Sequence, residues 1–157
     1  MLMFMVLYMI DATGFFAVLT ALSRGGRPME RLGDMAGLSK TRPGLAVVLT
    51  LLSFSVMGIP PLPGFWGKFY VFKAAIDAGL GWLAVIGLVS SVVAAFYYLR
   101  LVKLMWFDPP EGQTDQPPAD ATFIAFATAA FAFPLVMIAL TWLDPLALTA
   151  AQGLWAP

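Results

Sequence analysis

The chain has 157 residues, of which 61% are hydrophobic and only 11% charged, and its formal net charge is zero. Soluble domains contain about 25% charged residues, so this composition predicts an integral membrane protein. Cysteine and histidine are both absent, which excludes disulfides, Cys/His metal sites, haem ligation by histidine and Ser-His-Asp catalysis. Because the sequence has no basic stripe, we expect no nucleic-acid partner.

Four apolar segments are long enough to cross a bilayer, which takes about 20 residues. They cover residues 1–22, 44–78, 81–105 and 121–143, and prolines interrupt the second. The sequence contains no convincing internal repeat and no stretch typical of a soluble domain. We therefore predict an all-α integral membrane protein with one membrane domain over residues 1–157. It has four transmembrane helices, of which the second is discontinuous, broken at Pro60–Gly64 within residues 59–64.

A carboxylate lies half-way along the first segment, at Asp11. A charge inside a membrane is costly, so an aspartate at this depth is by default a candidate functional residue. Two interpretations stay open. In the first, Asp11 faces the bundle interior and hydrogen-bonds Tyr8, Thr13 or a neighbouring helix. In the second, it pairs with or tunes Lys68, or hydrates a proton path.

The basic residues of the connections predict the orientation of the chain. Residues 23–43 hold five basic side chains against two acidic ones, and the third segment ends with Arg100 and Lys103. In an alternating topology of four helices all of them fall on one side, which the positive-inside rule assigns to the cytoplasm. Loops 23–43 and 106–120 are thus predicted to be cytoplasmic, and both chain ends lie on the opposite side. The second loop, acidic and proline-rich, is typical of a solvated connector.

Three prolines and two flanking glycines interrupt the second segment, within the stretch GIPPLPGFWGKFYVFK: Pro60, Pro61, Pro63, Gly58 and Gly64. The prolines cannot donate the hydrogen bonds that a continuous helix would give to the carbonyls of Val56, Met57 and Ile59. The glycines permit backbone conformations that other residues avoid. Free carbonyls are expensive in lipid, so we expect this break to lie inside protein or beside a wet cavity. Broken helices of this kind mark ion or substrate sites in transporters.

Two lysines follow the break. A half-helix that starts near Gly64 places Lys68 in or just past its first turn, where the helix dipole and removal from water both disfavour the charged form. A lysine that can release its proton is a candidate proton carrier, and we assign this role to Lys68. Lys73 lies nearer the far interface, so we interpret it first as an anchoring lysine and second as a proton carrier. About 140° separates the two lysines around a helix, which predicts that they do not share one path.

The stretch GIPPLPGFWGKF resembles the broken twelfth helix of the antiporter-like subunits of respiratory complex I and of the multisubunit cation/proton antiporters. The stretch GWLAVIGLVSSVVAAFYYLRLVKLMWF resembles the thirteenth helix of subunit N of NADH–quinone oxidoreductase. The resemblance extends over essentially the whole chain, which would correspond to the last helices of a fourteen-helix subunit.

This resemblance implies a proton-translocating subunit of the membrane arm, in the bacterial inner (plasma) membrane, with the other membrane subunits of complex I as partners. In the family, a lysine at the position of Lys68 ends a chain of buried ionisable groups and connects to the side where protons are released. The other relay residues, a glutamate and lysines on the fifth, seventh and eighth helices, have no counterpart here. The resemblance therefore implies that this part alone does not pump.

The resemblance also implies an enzyme only in the sense of a subunit of NADH–quinone oxidoreductase, a translocase. NADH, flavin, iron–sulfur clusters and quinone are expected in other subunits of the complex. We expect no cofactor, no metal and no redox site in this chain.

Two other interpretations stay open. The chain could be the C-terminal piece of a multisubunit cation/proton antiporter subunit that is not coupled to redox chemistry, since the same break and lysine would serve it. It could also be a complete four-helix scaffold or assembly protein, although that interpretation leaves the lysine beside the break unexplained.

Overall fold

The computed structural model describes residues 2–131 and residue 149, and the chain is mainly helical. The helices are α1 (Leu2–Ala21), α2 (Leu38–Thr41), α3 (Pro43–Met57), α4 (Pro63–Asp77), α5 (Gly81–Phe107) and α6 (Ala119–Ala130). Between α1 and α2 lie two short antiparallel strands, β1 (Ser23–Arg24) and β2 (Arg27–Pro28), and a 3-10 turn at Leu32–Met35.

Among the described residues, two helices are long and apolar enough to cross a membrane: Phe4–Ala21 within α1, and α5. They lie in the predicted first and third segments, and α5 continues two residues past the predicted end at 105. The last turn of α5 is held because Nε1 of Trp106 donates a hydrogen bond to Oγ1 of Thr50 in α3, at 2.8 Å. The connection predicted over 106–120 is therefore shorter and runs between Phe107 and Ala119.

The second predicted segment contains two separate helices, α3 and α4, of 15 residues each. Each extends about 22 Å, which is less than the roughly 30 Å thickness of a bilayer's hydrocarbon core. α3 begins at Pro43, because proline is well tolerated at the first position of a helix, where its missing N–H is not needed. Of the fourth predicted segment, 121–143, the structure describes α6, and its later part, including Pro134, lies outside the described residues.

The largest cluster of buried side chains lies at the end of the bundle where α1 ends and α3 begins. α1 packs against α3, α4 and α6, and α5 packs against α3 and α4. The cluster comprises Val18, Leu22, Met29, Met35, Leu38, Leu45, Ala46, Val48, Leu49, Leu52, Leu101, Met105, Ala125 and Ala129. This core fixes one end of the helices and places the connection between α3 and α4 in the other half of the bundle.

The two predicted cytoplasmic loops pack against each other at the core end of the bundle. Gly25 and Gly26, both at positive φ, form the tight turn between β1 and β2. Their N–H groups donate to the carboxylate of Asp115, at 3.1 and 2.8 Å, and the hydroxyl of Ser23 donates to it at 3.1 Å. These donors, the N–H of Gly26 first, lower the pKa of Asp115 below its ordinary value.

The acidic loop is thus more than the solvated connector that its composition predicts. Arg24 forms an ion pair with Glu111 at 3.7 Å, and the guanidinium of Arg42 donates to the carbonyl of Thr114 at 3.3 Å. Most side chains of the loop are exposed, but Asp115 is bound to the turn of the first loop and Glu111 to Arg24. Composition does not predict this binding, because the two loops are far apart in the sequence and meet only in the folded chain.

Candidate functional site

α3 ends in a closed C-terminal turn at the start of the proline-rich stretch. Gly58 takes a left-handed conformation with φ 93°, and its N–H donates to the carbonyl of Ser55 at 2.9 Å. The N–H of Ile59 reaches back to the carbonyl of Phe54 at 3.0 Å. This pair of bonds is the glycine-dependent ending that satisfies the last carbonyls of many helices.

Two of the three carbonyls that the prolines would leave free have hydrogen-bond partners. The ammonium group of Lys68 donates to the carbonyl of Met57 at 3.1 Å. The N–H of Leu62 donates to the carbonyl of Ile59 at 3.0 Å, across the turn that contains the exposed Pro60 and Pro61. Leu62 itself is extended, with φ −69° and ψ 157°, as expected before a proline, and α4 then begins at Pro63.

Lys68 lies in the second turn of α4, just past the first, and its partly buried side chain reaches back to α3. A Cβ on Gly58 would lie 3.3 Å from Cδ of Lys68, so the lysine stem packs across the glycine at the end of α3. Its ammonium group lies at the carbonyl end of α3, where the helix dipole favours a cation. The sequence alone indicates only the unfavourable dipole of α4, because the position of the lysine side chain depends on tertiary structure.

Ser55 connects three helices at the break. Its hydroxyl donates to Oδ2 of Asp11 in α1 at 2.6 Å and accepts a hydrogen bond from the N–H of Gly64 in α4 at 3.1 Å. A Cβ on Gly64 would coincide with the carbonyl oxygen of Ser55, so α3 and α4 approach each other closely at this point. Local sequence gives no signal that distinguishes Ser55 from Ser53, whose hydroxyl donates to Leu49 of its own helix.

Asp11 and Lys68 line one cavity of about 280 Å³ between α1, α3, α4 and α5. Asp11 is only 1% exposed, and among the described residues its second oxygen, Oδ1, has no hydrogen-bond partner. The two side chains do not form an ion pair, since the pairs found within the described part of the chain are Arg24–Glu111 and Lys73–Asp77. A carboxylate and an ammonium group thus face a common space without direct contact.

Lys68 also lines a second cavity, of about 350 Å³, whose other walls are mainly aromatic and aliphatic. Lys73 lines this cavity too, so the angle between the two lysines around α4 does not keep them apart. The Nζ of Lys73 pairs with Oδ2 of Asp77 at 2.7 Å, and both side chains are more than half exposed. Lys68 therefore lies between two cavities, whereas Lys73 borders one of them from the end of α4.

The chemistry available at this site is proton exchange. It offers an amine, a carboxylate and the hydroxyls of Ser90, Ser91 and Tyr98 around a space large enough for several water molecules. Across residues 2–131 and residue 149, no group of three or more acidic, histidine or cysteine side chains could hold a metal ion.

Similar proteins match nearly the whole length of this chain. The chain is 62% identical over 156 residues to NADH-quinone oxidoreductase subunit N of Caulobacter sp. (strain K31), covering 98% of this chain and 32% of that protein. It is 44% identical over 157 residues to NADH-quinone oxidoreductase subunit N 1 of Acidiphilium cryptum (strain JF-5), covering 97% of this chain and 33% of that protein. The chain thus spans about a third of the length of the curated relatives it matches.

Among solved structures, the chain is similar to one chain of respiratory complex I from Thermus thermophilus with bound aureothin. The TM-score is 0.76 at 30% sequence identity, covering 87% of this chain and 31% of that chain. The family described as "NADH:quinone oxidoreductase/Mrp antiporter, TM" matches residues 1–94, which is more than half of the chain. The resemblance found in the proline-rich stretch is thereby confirmed, and the chain belongs to the NADH:quinone oxidoreductase/Mrp antiporter transmembrane family.

Proposed function

We propose that this chain is the C-terminal part of a proton-translocating subunit N of NADH–quinone oxidoreductase, and that Lys68 carries the proton at the helix break. The observation that carries the proposal is the position of Lys68. Its ammonium group is bound to the carbonyl of Met57 at the end of α3, and its side chain borders a cavity on either side. The curated relatives cited above are subunits N, which favours this function over an antiporter without redox coupling.

In this proposal α3 and α4 form one discontinuous crossing. Along α5, Gly87 adjoins the ring of Phe72 in α4, whereas Trp106 is hydrogen-bonded to Thr50 in α3. These two positions are about 28 Å apart along the axis of α5, close to the roughly 30 Å of a hydrocarbon core. α3 and α4 together therefore pack along the full length of one membrane-spanning helix. If the segment that starts with α6 also crosses the membrane, the single membrane domain, 1–157, has four crossings.

The proposed orientation places loops 23–43 and 106–120 in the cytoplasm and both chain ends on the opposite side of the bacterial inner membrane. Hydrogen bonds between the loops, such as those to Asp115, support a common side for them. The excess of basic residues in loop 23–43 supports the cytoplasmic assignment of that side.

The mechanism rests on the contrast between the two charge states of Lys68. As an ammonium group it makes a charge-assisted hydrogen bond to the carbonyl of Met57, which is stronger than a neutral one. When the amine releases its proton this bond weakens, and the neutral side chain is free to turn toward either cavity. Protonation and deprotonation of one residue can thus be coupled to access from two sides.

The redox steps belong to other subunits in this proposal. NADH, flavin, iron–sulfur clusters and quinone would be bound there, and the partners of this chain would be the other membrane subunits of complex I. Lys73, paired with the exposed Asp77, would anchor the end of α4 rather than carry protons.

The test is Lys68→Ala in the complete subunit, assembled in its complex in membrane vesicles. We expect the rate of NADH-driven proton pumping to fall roughly 100-fold or more, within the range that acid–base groups contribute to a rate. Lys103→Ala is the matched control, because Lys103 is exposed near the end of α5, and this variant should pump normally. Normal pumping by a fully assembled Lys68→Ala variant would contradict the proposal.

A further inference from the structure

The proposed function uses Lys68 and assigns no role to Asp11, a second ionisable side chain at the same site. Asp11 is 1% exposed and lies in the middle of α1, a helix long enough to cross the membrane. Ser55 satisfies only one of its oxygens, Oδ2, and Oδ1 lacks a hydrogen-bond partner within residues 2–131. A buried polar atom in this condition is expensive, so it requires an explanation.

A purely structural role does not explain the carboxylate. Linking α1 to Ser55 requires one acceptor oxygen, which the amide of an asparagine would supply at a lower desolvation cost than a carboxylate. The remaining feature of Asp11 is that it lines the 280 Å³ cavity together with Lys68. The other titratable side chains that line this cavity are Tyr8 and Tyr98, so among its described lining residues Lys68 is the basic group.

We infer that Asp11 is a second proton-exchanging group of this site and exchanges its proton with Lys68 through the cavity between them. The inference rests on the proposed function of Lys68 and deepens it. Because the two groups share a cavity that serine and tyrosine hydroxyls also line, but are not in direct contact, water is the chemically suitable carrier between them.

The proton balance is simple. The ammonium group of Lys68 gives one proton to a cavity water, and that water gives one of its protons to Oδ1 of Asp11. The products are a neutral amine, a neutral carboxylic acid and an unchanged water molecule, and the reverse transfer restores the ammonium group and the carboxylate. The summed charge of the two groups is zero in both states, so the exchange adds no net charge to the bundle.

The geometry keeps Asp11 in place in both states. Ser55 can donate to Oδ2 whether Oδ1 is ionised or protonated, because Oδ2 accepts a hydrogen bond in either case. Lys68, by contrast, has a long flexible stem and borders the second cavity as well. Asp11 is therefore the fixed partner and Lys68 the mobile one.

The first test is Asp11→Asn in the complete subunit within its complex. This variant keeps an acceptor for Ser55 but cannot bind and release a proton, so we expect the rate of NADH-driven proton pumping to fall roughly 100-fold, as for Lys68→Ala. Asp11→Glu keeps a titratable group and should recover most of the loss, which a merely structural role would not predict. Asp120→Asn, at an exposed aspartate at the start of α6, is the matched control and should pump normally.

The outcomes separate this inference from the function on which it rests. If Asp11→Asn pumps normally while Lys68→Ala does not, the role of Asp11 is wrong and that of Lys68 stands. If both variants pump normally, the proposed function fails and the inference fails with it. A loss in Asp11→Asn that Asp11→Glu does not recover, in assembled complexes, would also contradict proton exchange.

A measurement on the wild-type protein covers the case in which the variants do not assemble. Hydrophobic carbodiimides react with protonated carboxylic acids in apolar surroundings, and the labelled residue is identified by mass spectrometry of the peptides. We expect an adduct on Asp11 and none on Asp115, whose carboxylate is held ionised by backbone N–H groups. Absence of an adduct on Asp11 in a membrane preparation would overturn the inference.

Discussion

Two aspartates in this chain bind other elements by hydrogen bonds, and their surroundings differ. At the loop end, both oxygens of Asp115 accept hydrogen bonds, from two backbone N–H groups and the hydroxyl of Ser23. At the helix break, one oxygen of Asp11 accepts a hydrogen bond from Ser55, and the other has no partner among the residues that the structure describes.

The comparison distinguishes a carboxylate that holds the fold together from one that is available for chemistry. A fully hydrogen-bonded carboxylate is stabilised in its ionised form and resists protonation. A buried carboxylate beside a cavity, with one oxygen that no described residue hydrogen-bonds, can receive a proton without losing its structural contact. At the loop end both carboxylate oxygens of Asp115 are thus hydrogen-bonded, which we call the closed network. At the helix break only one oxygen of Asp11 is hydrogen-bonded by the described residues.

The largest effect on this comparison is expected from Gly64→Ala. The added Cβ would coincide with the carbonyl oxygen of Ser55, and a backbone atom cannot move away as a side chain can. We expect the free energy of unfolding to fall by about 3 kcal/mol or more, the upper end for overpacked sites, together with loss of the link between α3 and α4. Thermal unfolding of the purified protein in detergent measures the change.

Gly81→Ala is the control for that substitution. No atom lies within 4 Å of a Cβ built on Gly81, at the start of α5, so its stability should stay within about 0.5 kcal/mol of wild type. If Gly64→Ala is as stable as Gly81→Ala, the close approach of α3 and α4 at the break is not a constraint on the fold.

A smaller effect is expected from Ser55→Ala, which removes the hydrogen bond to Asp11. The substitution leaves Oδ2 of Asp11 without its partner, and an unsatisfied buried group costs about 1–3 kcal/mol. The N–H of Gly64 also loses its acceptor, but that bond is only partly buried and its loss costs less. Ser53→Ala is the matched control, since Ser53 is equally buried but donates only to Leu49 of its own helix. Equal unfolding temperatures for the two variants would mean that Ser55 does not link the helices.

The contrast between local and long-range features also explains what the sequence could predict. The apolar segments behind α1 and α5, the interruption near the prolines and the nearness of Lys68 to it all follow from local length and chemistry. The partner of Asp11 lies 44 residues away in the chain, and the donors to Asp115 lie about 90 residues away. No local pattern encodes such pairs, so the sequence leaves Tyr8, Thr13 and a neighbouring helix open as partners of Asp11. The partner is Ser55 in the neighbouring α3, and Thr13 donates to the carbonyl of Met9 in its own helix.

The smallest effect is expected at Asp115, where the contact between the two loops should depend on pH. The pKa of Asp115 in the folded chain is lowered below the ordinary value of 3.8, first by the N–H of Gly26 and then by that of Gly25. A group with a lowered pKa contributes its full stabilisation above the ordinary value, and the contribution is lost as the pH falls through the folded value. Docking of the loop should therefore be constant near neutral pH and weaken below pH 3.8.

Because the chain has no cysteine, a single spin label attached through Gln113→Cys can report this docking by its mobility in electron paramagnetic resonance. In the wild-type background the label should be restrained at neutral pH and become mobile in acid. In Asp115→Asn it should already be more mobile at neutral pH, because an amide offers one oxygen where the carboxylate offered two. Glu111 also titrates in this loop, so the difference between the two backgrounds, rather than either curve alone, isolates Asp115. Identical mobility curves in the two backgrounds would mean that docking of the loop does not depend on the carboxylate of Asp115. Asp115 could then no longer be contrasted with Asp11 as a carboxylate that holds the fold together.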